Sequence, residues 1–260
     1  MPNTPGVYIF HGDDDALPLY IGKSVSLRSR VLAHLRNPRE RRLRRQARRI
    51  SFQRTAGEVG ALLLEAQLIK ERYPLLNKRL RRKGRLCALR LGGGRPEVVY
   101  AQDVDFAREP RLFGLFSSRT AALEKLRELA DLHRLCHGAL GLERLPRGRA
   151  CFRTLVRRCG GVCRGDETPA EHDARLRSAL ADLALCCWPH PGAVALVEED
   201  GDLRQLHVVR NWCYLGSADS LEAARRLDVV TASFDADSYR ILCRPLLEGG
   251  PQLLDLGAAP

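Results

Sequence analysis

One carboxylate stands where a helix reads as apolar. On a helical wheel Glu65 shares its face with Ala61, Leu62, Leu68 and Ile69, while Gln67 and Glu71 turn the other way. Burying a carboxylate is costly unless a cation or metal meets it. A single carboxylate suits Mg²⁺ or Mn²⁺, since a hard ion of this kind keeps several waters and takes few protein ligands. Other reactive groups lie upstream. Tyr8 follows Gly6 by two residues, Tyr20 precedes Gly22 by two, and Lys23 comes next. Arg30 and His34 lie one helical turn apart, and Asn77 follows the Glu65 helix. Phosphodiester hydrolysis needs these parts: a base for water, an ion for the leaving oxygen, cations for the phosphate. Singly, each has an ordinary reading. Tyr8 and Tyr20 fit a hairpin core, Arg30 a solvated helix charge, and Glu65 a surface residue or an arginine's partner.

A second group of residues carries thiol chemistry. Cys136, Cys151, Cys159 and Cys163 follow a C-x14-C-x7-C-x3-C spacing in a Gly- and Arg-rich stretch. Four thiolates can hold Zn²⁺ or a [4Fe–4S] cluster. The absence of a tight C-x2-C pair makes structural zinc the less typical of the two, and four buried thiols is the plain alternative. Cys87, Cys186, Cys187, Cys213 and Cys243 lack such spacing and read as core. His133 and His137 read as surface.

These residues need elements to position them. Residues 6–10 and 19–21 read as two strands around a polar turn, followed by a helix start at Lys23-Ser24 and a helix with Leu27, Arg30, Val31, His34 and Leu35 on one face. Ile50–Arg54 alternates as a strand. Thr55 and Glu58 fit a capping box for a helix over about 57–72 that stops before Pro74. The order β-β-α-β-α predicts a small α+β layer. Beyond it, 86–101 reads as two strands around Gly92–Gly94. Ser118–Arg134 reads as a helix with anchors Ala121, Leu123, Leu126, Leu129 and Leu132. A capped helix opens at Thr168 and runs to about Cys187, and Asp200-Gly201 joins two further strands. The predicted organisation is 1–82 nuclease-like domain, 83–130 connecting strands and helix, 131–187 cysteine-rich helical segment, and 188–260 small α+β module. Asp235 and Asp237 read as a surface turn without partners.

The chain has 260 residues and a formal net charge of +12, which points to a polyanionic partner. Residues 1–90 hold a net +14 and residues 91–260 a net −2. The excess includes Arg28, the run Arg39–Arg49 with Arg41, Arg42, Arg44, Arg45, Arg48 and Arg49, and the run Lys78, Arg79, Arg81, Arg82, Lys83. Such residues read either as a solvated face or as phosphate contacts that give affinity without base readout. The sequence has neither a secretory signal nor an apolar run long enough to span a bilayer, so a cytoplasmic, reducing location with no membrane partner is expected.

Gly6-Val7-Tyr8 and Tyr20-Ile21-Gly22, with Lys23, Arg30, Glu65 and Asn77, resemble the GIY-YIG nuclease domain. Pro18–Ser24, Thr55–Glu58, Leu62–Ala66 and Leu76–Arg82 resemble the N-terminal domain of the excision-repair nuclease UvrC, and more narrowly the Cho group of UvrC-homologous excinucleases. The similarity extends over essentially the whole chain. It implies Tyr20 as general base or orienter of water, Tyr8 hydrogen-bonded within the site, and Lys23 acting on a neighbouring pKa or on phosphate. It further implies Arg30 stabilising phosphorane-like charge, Glu65 as the only protein ligand to Mg²⁺ or Mn²⁺, and Asn77 as a brace. His34 departs from the tyrosine frequent in UvrC, leaving proton shuttle and phosphate contact both open. The resemblance also implies a [4Fe–4S] cluster on the four cysteines, damaged double-stranded DNA as substrate, UvrA and UvrB as partners, and one incision 3′ to the lesion. UvrC's UvrB-binding hairpin, RNase H-like domain and helix-hairpin-helix motifs are expected to have no counterpart after the cysteine region, and the short extension that chains of this group usually carry ahead of the first strand is expected to be missing. A DNA-binding scaffold, or a GIY-YIG module of the kind fused to the polymerase III epsilon exonuclease, are the alternatives.

Overall fold

The computed structural model describes residues 1–13, 17–77, 85–92, 95–145, 149–227 and 233–257. The chain forms two compact units, one joining residues 1–82 to 188–260 and the other holding 83–187.

Strand β1 (Gly6–His11) is buried along its whole length, because it is the middle strand of an antiparallel sheet ordered β2-β1-β3 and is covered on both faces. β2 (Tyr20–Ser24) and β3 (Arg49–Arg54) flank it, and β2 is an edge. Alternation along β1 divides its side chains between two helices. Tyr8 and Phe10 meet Leu27 and Val31 of α1 (Leu27–Arg36) and Leu43 of the short α2 (Arg41–Gln46). Val7 and Ile9, with Ile21 of β2, meet Leu68 and Ile69 of α3 (Glu58–Arg72). The strand β2 runs on through Lys23 and Ser24, so the helix start expected there lies later, with Ser26 as the residue before α1. α3 ends as expected ahead of Pro74, with Tyr73 in the left-handed region at φ 47°.

The second unit has an antiparallel sheet of β4 (Cys87–Leu91), β5 (Pro96–Tyr100) and β6 (Leu112–Phe116), ordered β5-β4-β6. α4 (Arg119–Leu132) and α6 (Pro169–Leu180) pack against it through Ala122, Leu126, Leu129, Leu176 and Leu180. Between them lies the single-turn α5 (Phe152–Leu155). Two expectations change here. Leu132 is exposed, because α4 buries Ala122 and Ala130 on the face that Leu126 and Leu129 share. α6 stops at Leu180 and passes into a 3₁₀ turn, well short of Cys187. Its Thr168–Glu171 capping box forms.

Residues 188–260 build a sheet ordered β10-β7-β8-β9 from β7 (Val194–Asp200), β8 (Leu203–Arg210), β9 (Cys213–Ala218) and β10 (Leu253–Asp255), with α7 (Leu221–Leu227) and α8 (Ala236–Leu247). Trp212 is fully buried and packs edge-on against Trp188 and Tyr239, each with ring centroids 5.1 Å away. α8 lies against α3 within the same unit. Asp235 and Asp237 accordingly have a partner after all: Asp235 caps α8, and both carboxylates meet Lys70 of α3, at 2.6 Å and 3.0 Å. Among the described residues no helix is long and apolar enough to cross a membrane.

Candidate active site and cysteine cluster

The antiparallel register explains the two tyrosine–glycine signatures. Tyr8 stands opposite Gly22 and Phe10 opposite Tyr20, so the two tyrosines are diagonal neighbours on one face. A Cβ on Gly22 would collide with the Tyr8 hydroxyl and the Tyr20 ring, so only glycine lets the tyrosines close. Tyr8, Tyr20 and His34 form a triangle with ring centroids 5.4–6.2 Å apart. His34 reaches it from α1, one turn beyond Arg30.

The Tyr8 oxygen lies 2.6 Å from His34 Nε2, and His34 Nδ1 meets the Glu40 carboxylate. A carboxylate only accepts, so neutral His34 carries its proton on Nδ1, and Nε2 accepts from the Tyr8 hydroxyl. Glu40 is held in turn by Asn37, whose Nδ2 donates to Oε1 at 3.2 Å. Burial pushes the Tyr8 phenol well above its ordinary range, with Tyr20 adding to the rise while Arg30 opposes it. Tyr20 is raised by burial and by Glu65, and lowered by Arg30 and by the neighbouring Tyr8 hydroxyl. The Tyr8 contact stabilises the Arg30 guanidinium further. Tyr8, His34 and Glu40 therefore form a hydrogen-bonded chain, and the Tyr20 ring packs beside both Tyr8 and His34.

Glu65 reaches the same edge from the opposite face of the sheet. Its Oε1 accepts from the Lys23 backbone N–H at 3.1 Å, and burial raises its pKa despite that bond and the nearby Lys23 and Arg30 charges. The Lys23 ammonium goes elsewhere, to Glu58 at 2.5 Å. Asn77 braces β2: its Oδ1 accepts from Ile21 N at 3.0 Å and its Nδ2 donates to Ile21 O at 2.8 Å, standing in for a neighbouring strand. The structure thus gathers Tyr8, Tyr20, Lys23, Arg30, His34, Glu65 and Asn77 along one short edge strand. A partly buried carboxylate that retains only a backbone partner among the described residues is a fitting ligand for a hydrated divalent ion.

Arg28, Arg41, Arg42, Arg44, Arg45, Arg48 and Arg49 are all exposed. Arg48 meets Asp13 at 2.8 Å, and Arg44 donates to the Leu35 carbonyl at 3.1 Å. Lys78, Arg79, Arg81, Arg82 and Lys83 lie outside the described residues.

In the other unit the Sγ atoms of Cys136, Cys151, Cys159 and Cys163 all lie within 4.8 Å of one another. The first three are buried. Backbone N–H groups of Cys151 and Gly161 point at Cys163 and Cys159 sulfurs, each at 3.4 Å, and the Thr154 hydroxyl lies 3.2 Å from both Cys151 and Cys163 sulfurs. Such donors favour thiolates. Burial pushes the Cys136 and Cys151 thiols up. Burial opposes ionisation of Cys163 too, but hydrogen bonds from Thr154 and the Cys151 amide bring it down to about 7. Four thiolates with amide donors have the ligand chemistry for either metal group; the observed spacing is nearer that of a single tetrahedral ion, which needs its sulfurs about 3.8 Å apart, whereas a four-iron cluster needs them wider. His137, expected on the surface, is buried against Asp131 at 3.1 Å, because the Cys136 turn folds it inward. Of the other five cysteines, Cys87 is buried and the remaining four are partly covered.

Three contributors escaped the sequence reading. Glu40 sits inside an arginine run and past a helix break. His172 holds the Cys136 amide at 3.0 Å from 36 residues away. The expected Thr55–Glu58 capping box does not form: the Thr55 hydroxyl donates to the Gly57 carbonyl, Glu58 meets Lys23, and the start of α3 is capped by Glu198.

Comparison with known proteins adds the family. Residues 4–78 match a UvrC-like GIY-YIG domain, 85–182 the UvrC/Cho excinuclease middle domain, and 193–260 the excinuclease Cho C-terminal domain. Excinuclease cho of Shigella flexneri and of Escherichia coli strain K12 are each 56% identical over 259 residues, covering 100% of this chain and 88% of theirs. The chain belongs to the Cho excinuclease family. The magnesium-bound GIY-YIG N-terminal endonuclease domain of UvrC from Thermotoga maritima is 35% identical where it aligns, covering 29% of this chain and 85% of that one, with a TM-score of 0.27. As a Cho/UvrC-like excinuclease, the chain is an endonuclease of nucleotide excision repair, of α+β fold, and its tyrosine, arginine and glutamate cluster lies within the GIY-YIG domain.

Proposed function

We propose that this excinuclease hydrolyses one phosphodiester bond on the 3′ side of a lesion in double-stranded DNA, in a complex loaded by UvrA and UvrB, with a divalent ion held by Glu65. The carrying observation is that Glu65 and the Tyr8–His34–Glu40 chain, with Tyr20 beside it, lie along the same short edge strand β2. Both phenols have raised pKa values, so neither stands ready as a phenolate. The proton must instead move along the chain as water attacks. Tyr20 orients the water, whose proton passes to the Tyr8 oxygen as the Tyr8 proton passes to His34 Nε2, leaving an imidazolium paired with Glu40. The phosphorus–oxygen bond to the attacking water forms as the bond to the leaving sugar oxygen breaks. Arg30 stabilises the charge spreading over the phosphoryl oxygens. Mg²⁺ or Mn²⁺ at Glu65 supplies charge for the leaving oxygen. Asn77 keeps β2, and so Tyr20, in place, and Lys23 anchors Glu65 through its backbone. Exposed arginines Arg28, Arg41, Arg42, Arg45, Arg48 and Arg49 hold the DNA backbone, with Arg44 beside them.

In the second unit Cys136, Cys151, Cys159 and Cys163 hold a [4Fe–4S] cluster that supports the fold or DNA engagement, not hydrolysis. The close spacing of the sulfurs favours a second reading, a single Zn²⁺. Anaerobic purification with iron and zinc analysis separates the two, and well-folded protein with neither metal would refute both.

The test of function is an incision assay on lesion-bearing DNA, with and without UvrA and UvrB, mapped to the nucleotide. Glu65→Ala abolishes Mg²⁺-dependent nicking and leaves DNA binding intact on this reading; unchanged nicking would refute the metal role. Wild-type protein that binds but never nicks would favour a DNA-binding scaffold.

A further inference from the structure

The helix that carries Glu65 starts without a cap of its own. Its preceding residue is Gly57, which has no side chain, and Thr55 and Glu58 are engaged elsewhere. The first amides of a helix must find acceptors. Here they find them far away in sequence: Glu198 of β7 accepts from Val59 N at 3.0 Å through Oε1 and from Gly60 N at 2.7 Å through Oε2. His207 of β8 is fully buried and fixes that carboxylate, with Nε2 3.0 Å from Glu198 Oε2 and Nδ1 2.7 Å from the Ser217 hydroxyl. Gln205 Oε1 accepts from Ala56 N at 2.8 Å, extending the contact one step before the helix. A Cβ on Gly57 would collide with the Glu198 carboxylate and one on Gly60 with the His207 ring, so two glycines open the helix start to this pair.

The other end of α3 is held by the same C-terminal segment. Lys70 lies one helical turn and one residue past Glu65, and its ammonium meets Asp235 and Asp237 at the start of α8. Glu65 therefore sits between two points that residues 188–260 fix. Its carboxylate has one hydrogen bond to β2, through Lys23 N, and burial works against its charge. A group so placed depends on its backbone for position.

We infer that the C-terminal module clamps α3 and so sets the position of Glu65 for its metal ion, with Glu198, oriented by His207, as the positioning residue. This rests on the reading of Glu65 as the metal ligand. It gives residues 193–260 a part in the nuclease reaction without placing any of them on the substrate. A carboxylate on helix amides is a charge-assisted bond aligned with the helix dipole, and its loss frees the first turn of α3.

The experiment uses the full chain and four variants: Glu198→Gln, Glu198→Asp, Lys70→Met and Glu65→Ala. Circular dichroism establishes that each is folded. Mn²⁺ binding is followed by electron paramagnetic resonance without DNA, hydrogen exchange by mass spectrometry over residues 56–72, and nicking against metal concentration. Glu198→Gln is expected to weaken Mn²⁺ binding about fivefold, the equilibrium equivalent of one lost cap, to speed exchange across the first turn of α3, and to leave nicking at saturating metal within about twofold. Glu198→Asp restores part of the affinity. Lys70→Met, at the far end, gives a smaller change of the same sign, and carries the test if Glu198→Gln does not fold. Unchanged Mn²⁺ affinity and unchanged exchange in folded Glu198→Gln and Lys70→Met, while Glu65→Ala loses the metal, would overturn the clamp alone. Metal binding that survives in Glu65→Ala would overturn the metal reading itself.

Discussion

Glu40 shows how much a single side chain can depend on what lies around it. In the sequence it is the one acid in a run of seven arginines and reads as a local charge balance. In the fold, the chain turns at Asn37-Pro38 after α1, and that turn returns Glu40 to His34. No periodicity links residues six apart across a helix break, so nothing in the pattern announces the pair. Tyr8, Tyr20 and Glu65 were legible for the opposite reason: their signatures rest on strand register and on a helix face, both local. Because His34 acts on Tyr8 only in the tautomer that Glu40 imposes, Glu40→Ala should slow single-turnover nicking on the order of tenfold or more, as the general-base group it orients contributes about a hundredfold or more. DNA affinity should stay unchanged. The double variant Glu40→Ala/His34→Ala should be no slower than His34→Ala alone, since the two act as one unit. Additive losses would mean that Glu40 acts on the nearby arginines instead.

At the scale of elements, α3 shows where local rules stop. Its length and its stop before Pro74 were readable from pattern and proline chemistry. Its start was not, because Thr55-x-x-Glu58 is a sound capping signal that a stronger long-range partner displaced. The half-buried Glu198 would have a raised pKa from desolvation alone, yet His207 and the Gly60 and Val59 amides bring it below the usual carboxylate range. A depressed carboxylate contributes stability that is present above its unfolded pKa, near 4.3, and is lost as pH falls through the folded value. Thermal melts should therefore show Glu198→Gln less stable than wild type from neutral pH down to about 5. The gap should shrink below about pH 4, where wild-type Glu198 takes up its proton. A gap that is constant with pH would assign the loss to packing, not to the charge on the helix amides.

For the whole molecule, the division into two units turns the net charge into a question of geometry. Residues 1–82 and 188–260 meet through contacts more than a hundred residues apart, such as Glu198 with Gly60, which no window of sequence contains. What the sequence did disclose is that the positive excess belongs to the first ninety residues. In the fold Arg41, Arg42 and Arg45 of α2 are exposed, and α2 contributes only Leu43 to the core. That helix has little reason to be so basic unless its outer face meets phosphates. If each arginine neutralises one phosphate, the logarithm of DNA affinity falls against the logarithm of salt with a slope of about −0.9 per contact. Replacing Arg41, Arg42 and Arg45 by alanine should then make the slope shallower by about 3 and weaken binding to lesion-bearing and undamaged duplexes alike. Leu43 is untouched, so the core keeps its packing and the melting temperature should hold. A slope that does not change would make α2 a solvated face and leave the DNA backbone to other arginines. A loss confined to lesion-bearing DNA would instead give these residues a part in recognising the damage, which phosphate contacts by themselves do not supply.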